Sequence, residues 1–379
     1  MECSSLFVSH LPHPTGIGCN PVSTVVAGTH AARARTHFTH MENHHFLCWG
    51  LLANWKVGGM EAYLADPNQV VMLDGGLATE LETRGCDLLD PLWSGKVLLE
   101  SPQRIRDVAL AYLRAGARCI ITASYQITPQ SLMEHRGLTE DAAVAAIEES
   151  VRIAQSVRER HLKEKPQAAP VFVAGSVGPY GAYLADGSEY RGDYVRSAEE
   201  FKEFHRLRIA ALLRAGADVL AIETQPSAAE VRAIVALLQE EHPNCRAWVS
   251  FTTSRISPVE AISDGTKWAD IISFLEKAPQ VVAVGVNCIP MAEASAVLAH
   301  LHTLTTMPLV VYTNSGESYD TVTRTWHPIP MRDGTTLSLA ALAREWASHG
   351  ARLVGGCCRT GPSDIAGAAA ALDSAGFVV

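Results

Sequence analysis

Three segments of the chain repeat one pattern: YLRAGARCIITAS at 112–124, LLRAGADVLAIET at 212–224 and WASHGARLVGGCC at 346–358. Each segment runs from the end of an amphipathic helix through a Gly-Ala pair into a short apolar run with a small or polar end. Gly116, Gly216 and Gly350 stand where a helix needs a left-handed residue before the next strand. The repeat therefore predicts successive helix–strand units, which are typical of a parallel α/β fold.

Eight short β-branched runs are separated by connections long enough to hold helices. This number of strands predicts a (β/α)8 barrel that forms a single catalytic domain over residues 60–379. A doubly wound open sheet is the alternative, and it would also bind ligands at the carboxyl ends of its strands. The predicted strands cover residues 70–73, 119–122, 171–174, 219–223, 247–251, 281–286, 309–312 and 352–354.

Residues 1–59 do not follow this pattern. They contain seven of the fifteen histidines and only two acidic residues, and their apolar residues show no clear period. We interpret the segment as an N-terminal extension that is disordered or results from a miscalled start. A transit peptide is the alternative, because such segments are poor in acidic residues.

The composition limits the classes of partner. The chain has 379 residues, a formal net charge of -9 and no dense basic stretch, which argues against a nucleic-acid surface. No apolar run approaches the roughly 20 residues of a membrane span. Nine cysteines with no regular spacing and no secretory leader predict a reducing compartment, the cytoplasm. We expect small-molecule substrates, and the oligomeric state does not follow from the sequence.

Three cysteines follow two of the predicted strands: Cys288 ends VGVNC, and Cys357 and Cys358 end LVGGCC. In a barrel they would share the rim on which active sites are built. Three thiolates can hold Zn2+ and leave one coordination position open, as in a catalytic site. Adjacent strand residues point to opposite faces, so we expect Gly355 and Gly356 to permit a turn before the cysteine pair. Ordinary buried thiols are the alternative.

Further motifs carry a family resemblance. The chain resembles the zinc-dependent homocysteine S-methyltransferase family over about residues 60–375, and within it the bacterial enzymes that use S-methylmethionine. The resemblance implies a (β/α)8 barrel, Zn2+ held by Cys288, Cys357 and Cys358, and methyl transfer from a sulfonium donor to L-homocysteine, which forms methionine. S-methylmethionine is the implied donor, with S-adenosylmethionine as a second. The motifs are MLDGGLATELETRGCDL, LWSGKVLLESP, ITASYQITP, AGSVGPYGAYLADGSEYRGDY, VGVNCIP, NSGESYD, TWHP and GGCCRTGP.

The resemblance also implies a homocysteine site. Asp74 and Glu223 would hold the ammonium group, because a buried charge requires a partner. The backbone of Gly75 and Gly76 would lie near the substrate carboxylate. The alternative for Asp74 is that it caps the helix beginning LATELE, a common use of this residue type.

The methyl donor has its own implied residues. Trp93 matches a donor-site tryptophan of the betaine-using branch, and an aromatic face also suits a sulfonium; a buried structural Trp is the alternative. Asn314 would fill the open zinc position when homocysteine is absent. Thr224 stands where the betaine-using branch has Tyr, which argues against betaine as donor. A different aromatic pocket, or packing of the long third loop, would then involve Tyr125, Tyr180 and Tyr183.

Other functions have weaker support in the sequence. A zinc hydrolase or deaminase would need a nearby Glu as general acid/base and the paired-Cys motif of that enzyme class, but Ile289 and Pro290 follow Cys288 instead. A serine hydrolase is suggested only by AGSVG around Ser176, which departs from the nucleophile-elbow pattern. A non-enzymatic thiol or metal reservoir would have cysteine clusters without the Asp74 and Glu223 carboxylates.

Overall fold

The computed structural model describes residues 59–320, 325–329 and 336–379. The segment before Gly59 lies outside the described residues, so both interpretations of the N-terminal extension stay predictions. In the described ranges, no helix combines the length and the apolar character that crossing a membrane requires.

The described residues contain ten strands: β1 (Val71–Met72), β2 (Cys119–Ile121), β3 (Phe172–Val177), β4 (Val219–Gln225), β5 (Ala247–Phe251), β6 (Val281–Asn287), β7 (Leu309–Thr313), β8 (Glu317–Asp320), β9 (Thr325–Pro328) and β10 (Ala351–Gly356). All of them except β8 and β9 form one parallel sheet of eight strands, whose order is β1-β10-β7-β6-β5-β4-β3-β2. The ring closes between its two end strands, where Leu73 pairs with Cys119 and the Asp74 N–H donates to the Cys119 carbonyl at 3.1 Å. The predicted barrel is confirmed and the open sheet is wrong.

Helices surround the sheet and begin and end at the expected signals. Ser197 and Glu200 form a reciprocal capping box, and Gly116, Gly216 and Gly350 have φ of 109°, 89° and 91°. The helices are α1 (Met60–Leu64), α2 (Leu77–Thr83), α3 (Ser94–Glu100), α4 (Pro102–Arg114), α5 (Pro129–Arg136), α6 (Glu140–Glu164), α7 (Tyr180–Leu184), α8 (Ala198–Arg214), α9 (Ala228–Glu241), α10 (Trp268–Leu275), α11 (Met291–Leu304), α12 (Leu339–Ser348) and α13 (Pro362–Ser374).

The core has two layers. One lies between the sheet and the helices, and the other fills the barrel with alternate strand residues. Helix α1 contributes Met60 and Leu64 to the interior layer, and Tyr63 packs edge-on against Phe172 at the start of β3, with ring centroids 5.5 Å apart. The amino-terminal end of the barrel is therefore filled, and the carboxyl-terminal rim is left for a site.

Two features differ from the sequence predictions. An antiparallel hairpin of β8 and β9 follows β7 outside the barrel, and no strand was predicted there. Gly355 and Gly356 do not form a turn, because both remain in β10. They are needed for close packing instead: a Cβ on Gly355 would lie 2.6 Å from the Leu73 Cβ and 2.8 Å from the Asp74 carbonyl oxygen.

This packing predicts that Gly355→Ala destabilises the protein. The added methyl group would push β10 away from β1, which we expect to lower the free energy of unfolding by about 1–3 kcal/mol. Urea denaturation followed by circular dichroism measures the change. Gly367→Ala is the matched control, since its Cβ would meet only Ala340 at 3.4 Å and would favour helix α13. Equal midpoints for Gly355→Ala and wild type would contradict the packing argument.

Candidate metal centre

Strand β7 joins the two cysteine segments. Cys288 follows β6, Cys357 follows β10, and β7 lies between these strands in the sheet. The Cys288 N–H donates to the Tyr312 carbonyl at 2.9 Å, and the Cys357 N–H donates to the next carbonyl, that of Thr313, at 2.7 Å. Successive carbonyls of one strand therefore fix the backbones of both segments.

The three sulfurs form one cluster. The Sγ atoms of Cys288, Cys357 and Cys358 all lie within 4.8 Å of one another, and those of Cys288 and Cys358 are 3.7 Å apart. Sulfurs bound at about 2.3 Å to a tetrahedral zinc would be about 3.8 Å apart. The spacing thus fits a metal ion with three protein ligands and argues against three unrelated buried thiols.

Local backbone geometry brings the sulfurs together. Cys288 adopts a left-handed conformation with φ of 54°, which is uncommon for a residue other than glycine. Cys357 ends the strand geometry of β10, and the chain turns there: the Thr360 N–H donates to the Cys357 carbonyl at 3.2 Å, and Arg359 has φ of 61°. The side chains of Cys357 and Cys358 can therefore both point toward the cluster, although adjacent residues of a regular strand point to opposite faces.

Without a cation the cluster opposes ionisation. Hydrogen bonds to Cys288 and Cys358, and then burial, raise the pKa of Cys357 well above its usual range. For Cys288 a hydrogen bond from Cys357 lowers the pKa, but the hydrogen bond to Cys358 and burial outweigh it, and the pKa is raised. A divalent cation reverses this balance, because coordinated thiols are deprotonated. The donor set therefore suits a thiophilic metal.

Two carboxylates are buried near the cluster. Asp74 follows β1 and is 7% exposed, and Glu223 lies in β4 and is 6% exposed. Burial raises the pKa of both groups, that of Glu223 to about 7, and the Glu223 charge raises the pKa of Asp74 further. The Asp74 Oδ2 accepts from the Ile121 N–H at 2.9 Å, whereas α2 begins after Gly76 without a side-chain cap. The capping alternative for Asp74 is therefore wrong.

Asn287, which precedes Cys288, hydrogen bonds to Thr224, which follows Glu223. The Asn287 Oδ1 accepts from the Thr224 N–H at 2.7 Å, and the Asn287 Nδ2 donates to the Thr224 hydroxyl at 2.7 Å. Thr224 has φ of 57°, a strained conformation for a β-branched residue, and the pairing of β4 with β5 shifts register across it. The pair holds this irregular strand end, and its role is not evident from sequence.

Further residues of the site were missed or misread. The Tyr190 hydroxyl lies 3.2 Å from the Cys288 Sγ, although the two residues are 98 positions apart in the chain. The Ser176 hydroxyl donates to the Glu223 carboxylate, and Tyr312 also hydrogen bonds to that carboxylate. Ser176 is fully buried and orients Glu223, so its interpretation as a hydrolase nucleophile is wrong.

Two of the remaining predicted substrate residues, Asn314 and Gly76, adjoin the segment that carries Cys357 and Cys358. The Asn314 Oδ1 accepts from the Cys358 N–H at 3.2 Å, so this amide adjoins the cysteines. The Gly76 N–H donates to the Thr360 carbonyl at 3.0 Å, and a Cβ on Gly76 would collide with the Cys357 carbonyl. Trp93 precedes α3, is half-buried and has φ of 49°. Their roles toward substrate stay predictions, as does that of Gly75.

The tyrosines divide into two groups. Tyr180 and Tyr183 pack against α8, with the Phe204 ring 5.0 and 5.6 Å from their ring centroids. These two residues pack the third loop. Tyr125 instead hydrogen bonds to Thr224, and burial followed by the charge of Glu189 raises its pKa well above the usual range. Tyr125 therefore faces the site.

The fold and this cluster define a class: a TIM-type barrel with three thiols and two carboxylates grouped on the rim at the carboxyl ends of its strands. Residues 71–372 match the family model described as homocysteine S-methyltransferase. The chain belongs to this family and is a methyltransferase. The hydrolase, deaminase and non-enzymatic alternatives are therefore wrong.

Individual relatives agree with this assignment. The chain is 54% identical over 303 residues to the Escherichia coli homocysteine S-methyltransferase, which covers 80% of this chain and 95% of the relative. It is 47% identical over 306 residues to Bacillus subtilis homocysteine S-methyltransferase YbgG, across 80% and 94% of the two chains. The crystal structure of the metallated form of the E. coli enzyme MmuM superposes with a TM-score of 0.72 at 52% identity, and covers 80% and 96%.

The sulfur cluster predicts that Cys288→Ser lowers metal affinity by at least about 100-fold, because an alcohol is a far weaker ligand than a thiolate for a thiophilic ion. Competition with a chromophoric chelator measures the affinity for Zn2+ or Co2+. Cys86→Ser is the matched control, since Cys86 is a half-buried thiol outside the cluster. Unchanged affinity in Cys288→Ser would show that the metal binds elsewhere.

Proposed function

We propose that this protein transfers a methyl group from a sulfonium donor, S-methylmethionine or S-adenosylmethionine, to the thiolate of L-homocysteine and forms methionine, with Zn2+ as cofactor. The observation that carries the proposal is the thiol cluster next to two buried carboxylates. A metal at the cysteines would bind the sulfur of homocysteine, and the carboxylates would bind its ammonium group. Both bacterial relatives are homocysteine S-methyltransferases, which supports homocysteine as the acceptor.

Cys288, Cys357 and Cys358 would hold the metal. Bound Zn2+ would keep the sulfur of homocysteine in the thiolate form at neutral pH. Free thiols with a pKa near 8.5 are only a few per cent ionised at pH 7, so this matters for the rate. Asn314, whose amide adjoins Cys358, is the proposed occupant of the fourth position when homocysteine is absent.

Asp74 and Glu223 would bind the ammonium group of homocysteine, with the Gly75 and Gly76 backbone near its carboxylate. Two buried carboxylates, one of which raises the pKa of the other, are unfavourable in the ionised form until a cation lies between them. An ammonium group provides that cation and offers three hydrogen-bond donors. Ser176 and Tyr312 orient the Glu223 carboxylate for this contact.

The transfer itself is a direct displacement. The homocysteine sulfur attacks the methyl carbon, a new S–C bond forms as the donor S–C bond breaks, and the electron pair of the broken bond stays on the donor sulfur. The thiol proton of homocysteine leaves to solvent, and with S-methylmethionine both products are methionine. Positioning and exclusion of water contribute most to such a step. Trp93 is the proposed aromatic contact of the sulfonium.

The proposal predicts which donors work. With homocysteine as acceptor, we expect methionine from S-methylmethionine or S-adenosylmethionine and none from betaine. Chromatographic quantification of methionine, with three parallel donors, measures this. Treatment with a zinc chelator should abolish product, and added Zn2+ should restore it. Chelator-resistant turnover would contradict the role of zinc, and product from betaine would contradict the interpretation of Thr224.

Glu223→Gln should raise the KM for homocysteine by about 10- to 100-fold, because an amide cannot neutralise the ammonium charge. The pKa of Glu223 is about 7, so its carboxyl is protonated below that pH and ionised above it. In the wild type, kcat/KM for homocysteine should therefore rise with pH through about 7.

Steady-state kinetics across this pH range, at saturating donor, test the prediction. Asp218→Asn is the matched control, because it removes the same charge from the opposite end of β4, where Asp218 pairs with Arg158 at 2.7 Å. The rise of kcat/KM with pH should be absent in Glu223→Gln and present in the control. An identical pH profile and KM in Glu223→Gln would rule out an ammonium contact.

A further inference from the structure

One short turn of the third loop is anchored over the thiol cluster. Ser188–Tyr190 form a 3-10 turn, and Tyr190 reaches Cys288 with its hydroxyl at 3.2 Å from the Sγ. The Glu189 carbonyl accepts from the Thr252 hydroxyl at 3.1 Å, at the end of β5. Gly181 packs against the same turn, since a Cβ there would lie 2.6 Å from the Glu189 nitrogen. The turn is therefore fixed from several sides.

The Glu189 carboxylate on this turn is unusual. Its Oε2 is buried and has no hydrogen-bond partner within the described ranges of the chain. Burial and then the charge of the nearby Cys288 raise the pKa of Glu189 to about 7, and burial followed by the Glu189 charge raises the pKa of Tyr125. An unpaired carboxylate oxygen in such a place costs free energy unless a cation meets it.

Neither the protein nor the metal position accounts for that cation. Arg191 is the nearby basic residue, but its guanidinium is bound to Asp193 at 2.8 Å and to the Asp186 carbonyl at 3.0 Å. In the described residues, the cluster with metal-ligand spacing contains only the three cysteines, so Glu189 is not part of it. Asp74 and Glu223 already serve the homocysteine ammonium in the proposed function. The remaining cation of the reaction is the methyl donor.

We propose that Glu189 binds the positively charged sulfonium of the methyl donor, and that with Tyr125 it forms the donor side of the site. This inference rests on the proposed function. The carboxylate would neutralise the donor charge beside the thiol cluster, and the Tyr125 ring would contact the methyl groups around the sulfur. The class of ligand is a compact organic cation with its charge next to the transferred methyl group.

The chemistry gives this contact a kinetic signature. The donor is a cation before transfer and a neutral thioether after it, so the charge is partly lost in the transition state. A carboxylate at the sulfonium therefore stabilises the bound donor more than the transition state. Removing the carboxylate charge should weaken donor binding without slowing the saturated enzyme. A merely structural role would lower kcat instead.

The test uses the zinc-loaded full-length protein with homocysteine and S-methylmethionine. In Glu189→Gln we expect the KM of the donor to rise by about 10- to 100-fold, while kcat and the KM of homocysteine stay within about threefold of wild type. Glu199→Gln is the matched control, because it makes the same change at a carboxylate that is 79% exposed and pairs with Lys202 at the start of α8. Its donor KM should stay near the wild-type value.

A neutral donor analogue separates the sulfonium from the amino-acid part of the donor. At saturating homocysteine, methionine competes with S-methylmethionine for the donor side in this scheme, and its inhibition constant should be the same in wild type and Glu189→Gln. Glu189→Asp, which keeps the charge, should have a donor KM nearer to wild type than Glu189→Gln, although Gln is the closer match in shape. The opposite order would indicate a structural role and overturn the inference.

Three further outcomes would overturn either this inference or the proposed function. An unchanged donor KM in Glu189→Gln, with an active wild type, overturns this inference alone. Equal loss of affinity for S-methylmethionine and methionine overturns it as well, because the carboxylate would then bind the ammonium group that both molecules carry. Absence of methionine from every sulfonium in the wild type overturns the proposed function itself.

Discussion

Two successive carbonyls of β7 determine the geometry on which the rest of the site depends. They accept from the amides of Cys288 and Cys357, which end the strands on either side. The spacing of the sulfurs is thus set by hydrogen bonds of the barrel itself rather than by flexible loops, and such rigid placement suits a metal centre. The close packing of Gly355 against Leu73 keeps β10 near enough to β1 for the ring to close beside it.

Negative charge is concentrated on this rim. The pKa values of five of its acidic groups are raised, those of Cys288, Cys357, Asp74, Glu223 and Glu189. The buried Arg208 offsets them only in part: its charge favours the ionised form of Glu223, but its guanidinium hydrogen bonds to the Gly178 and Tyr125 carbonyls and to His205. In the proposed reaction three cations offset this charge: the metal ion, the ammonium group of homocysteine and the sulfonium of the methyl donor. The site is then electrostatically complete only when both substrates are bound, which favours an ordered and water-poor complex.

The sequence predicted the barrel because its signals are local. Each β-branched run lies between a helix with a glycine end and a polar strand end, and all eight predicted strands overlap the observed ones. The positions of Cys288, Cys357 and Cys358 at strand ends followed directly. The hairpin of β8 and β9 was missed because it lies outside the repeating helix–strand pattern.

Contacts distant in sequence could not be predicted in the same way. The Asn287–Thr224 pair joins residues 63 positions apart, and Tyr190 reaches Cys288 from a loop without regular periodicity. The reason for Gly355 and Gly356 was misjudged, because steric contact with β1 and Thr360 is visible only after the barrel has closed. Composition and motifs identify the residue types of a site, whereas the packing of the strands decides which of them meet.

The central claim is that the three cysteines present the homocysteine sulfur at a metal ion. X-ray absorption at the zinc edge, on zinc-loaded protein with and without homocysteine, tests it most directly. The account predicts three sulfur ligands at about 2.3 Å plus one nitrogen or oxygen ligand in the free protein, and four sulfur ligands after homocysteine is added. An unchanged ligand set on addition of homocysteine, or fewer than three sulfurs in the free protein, would contradict it.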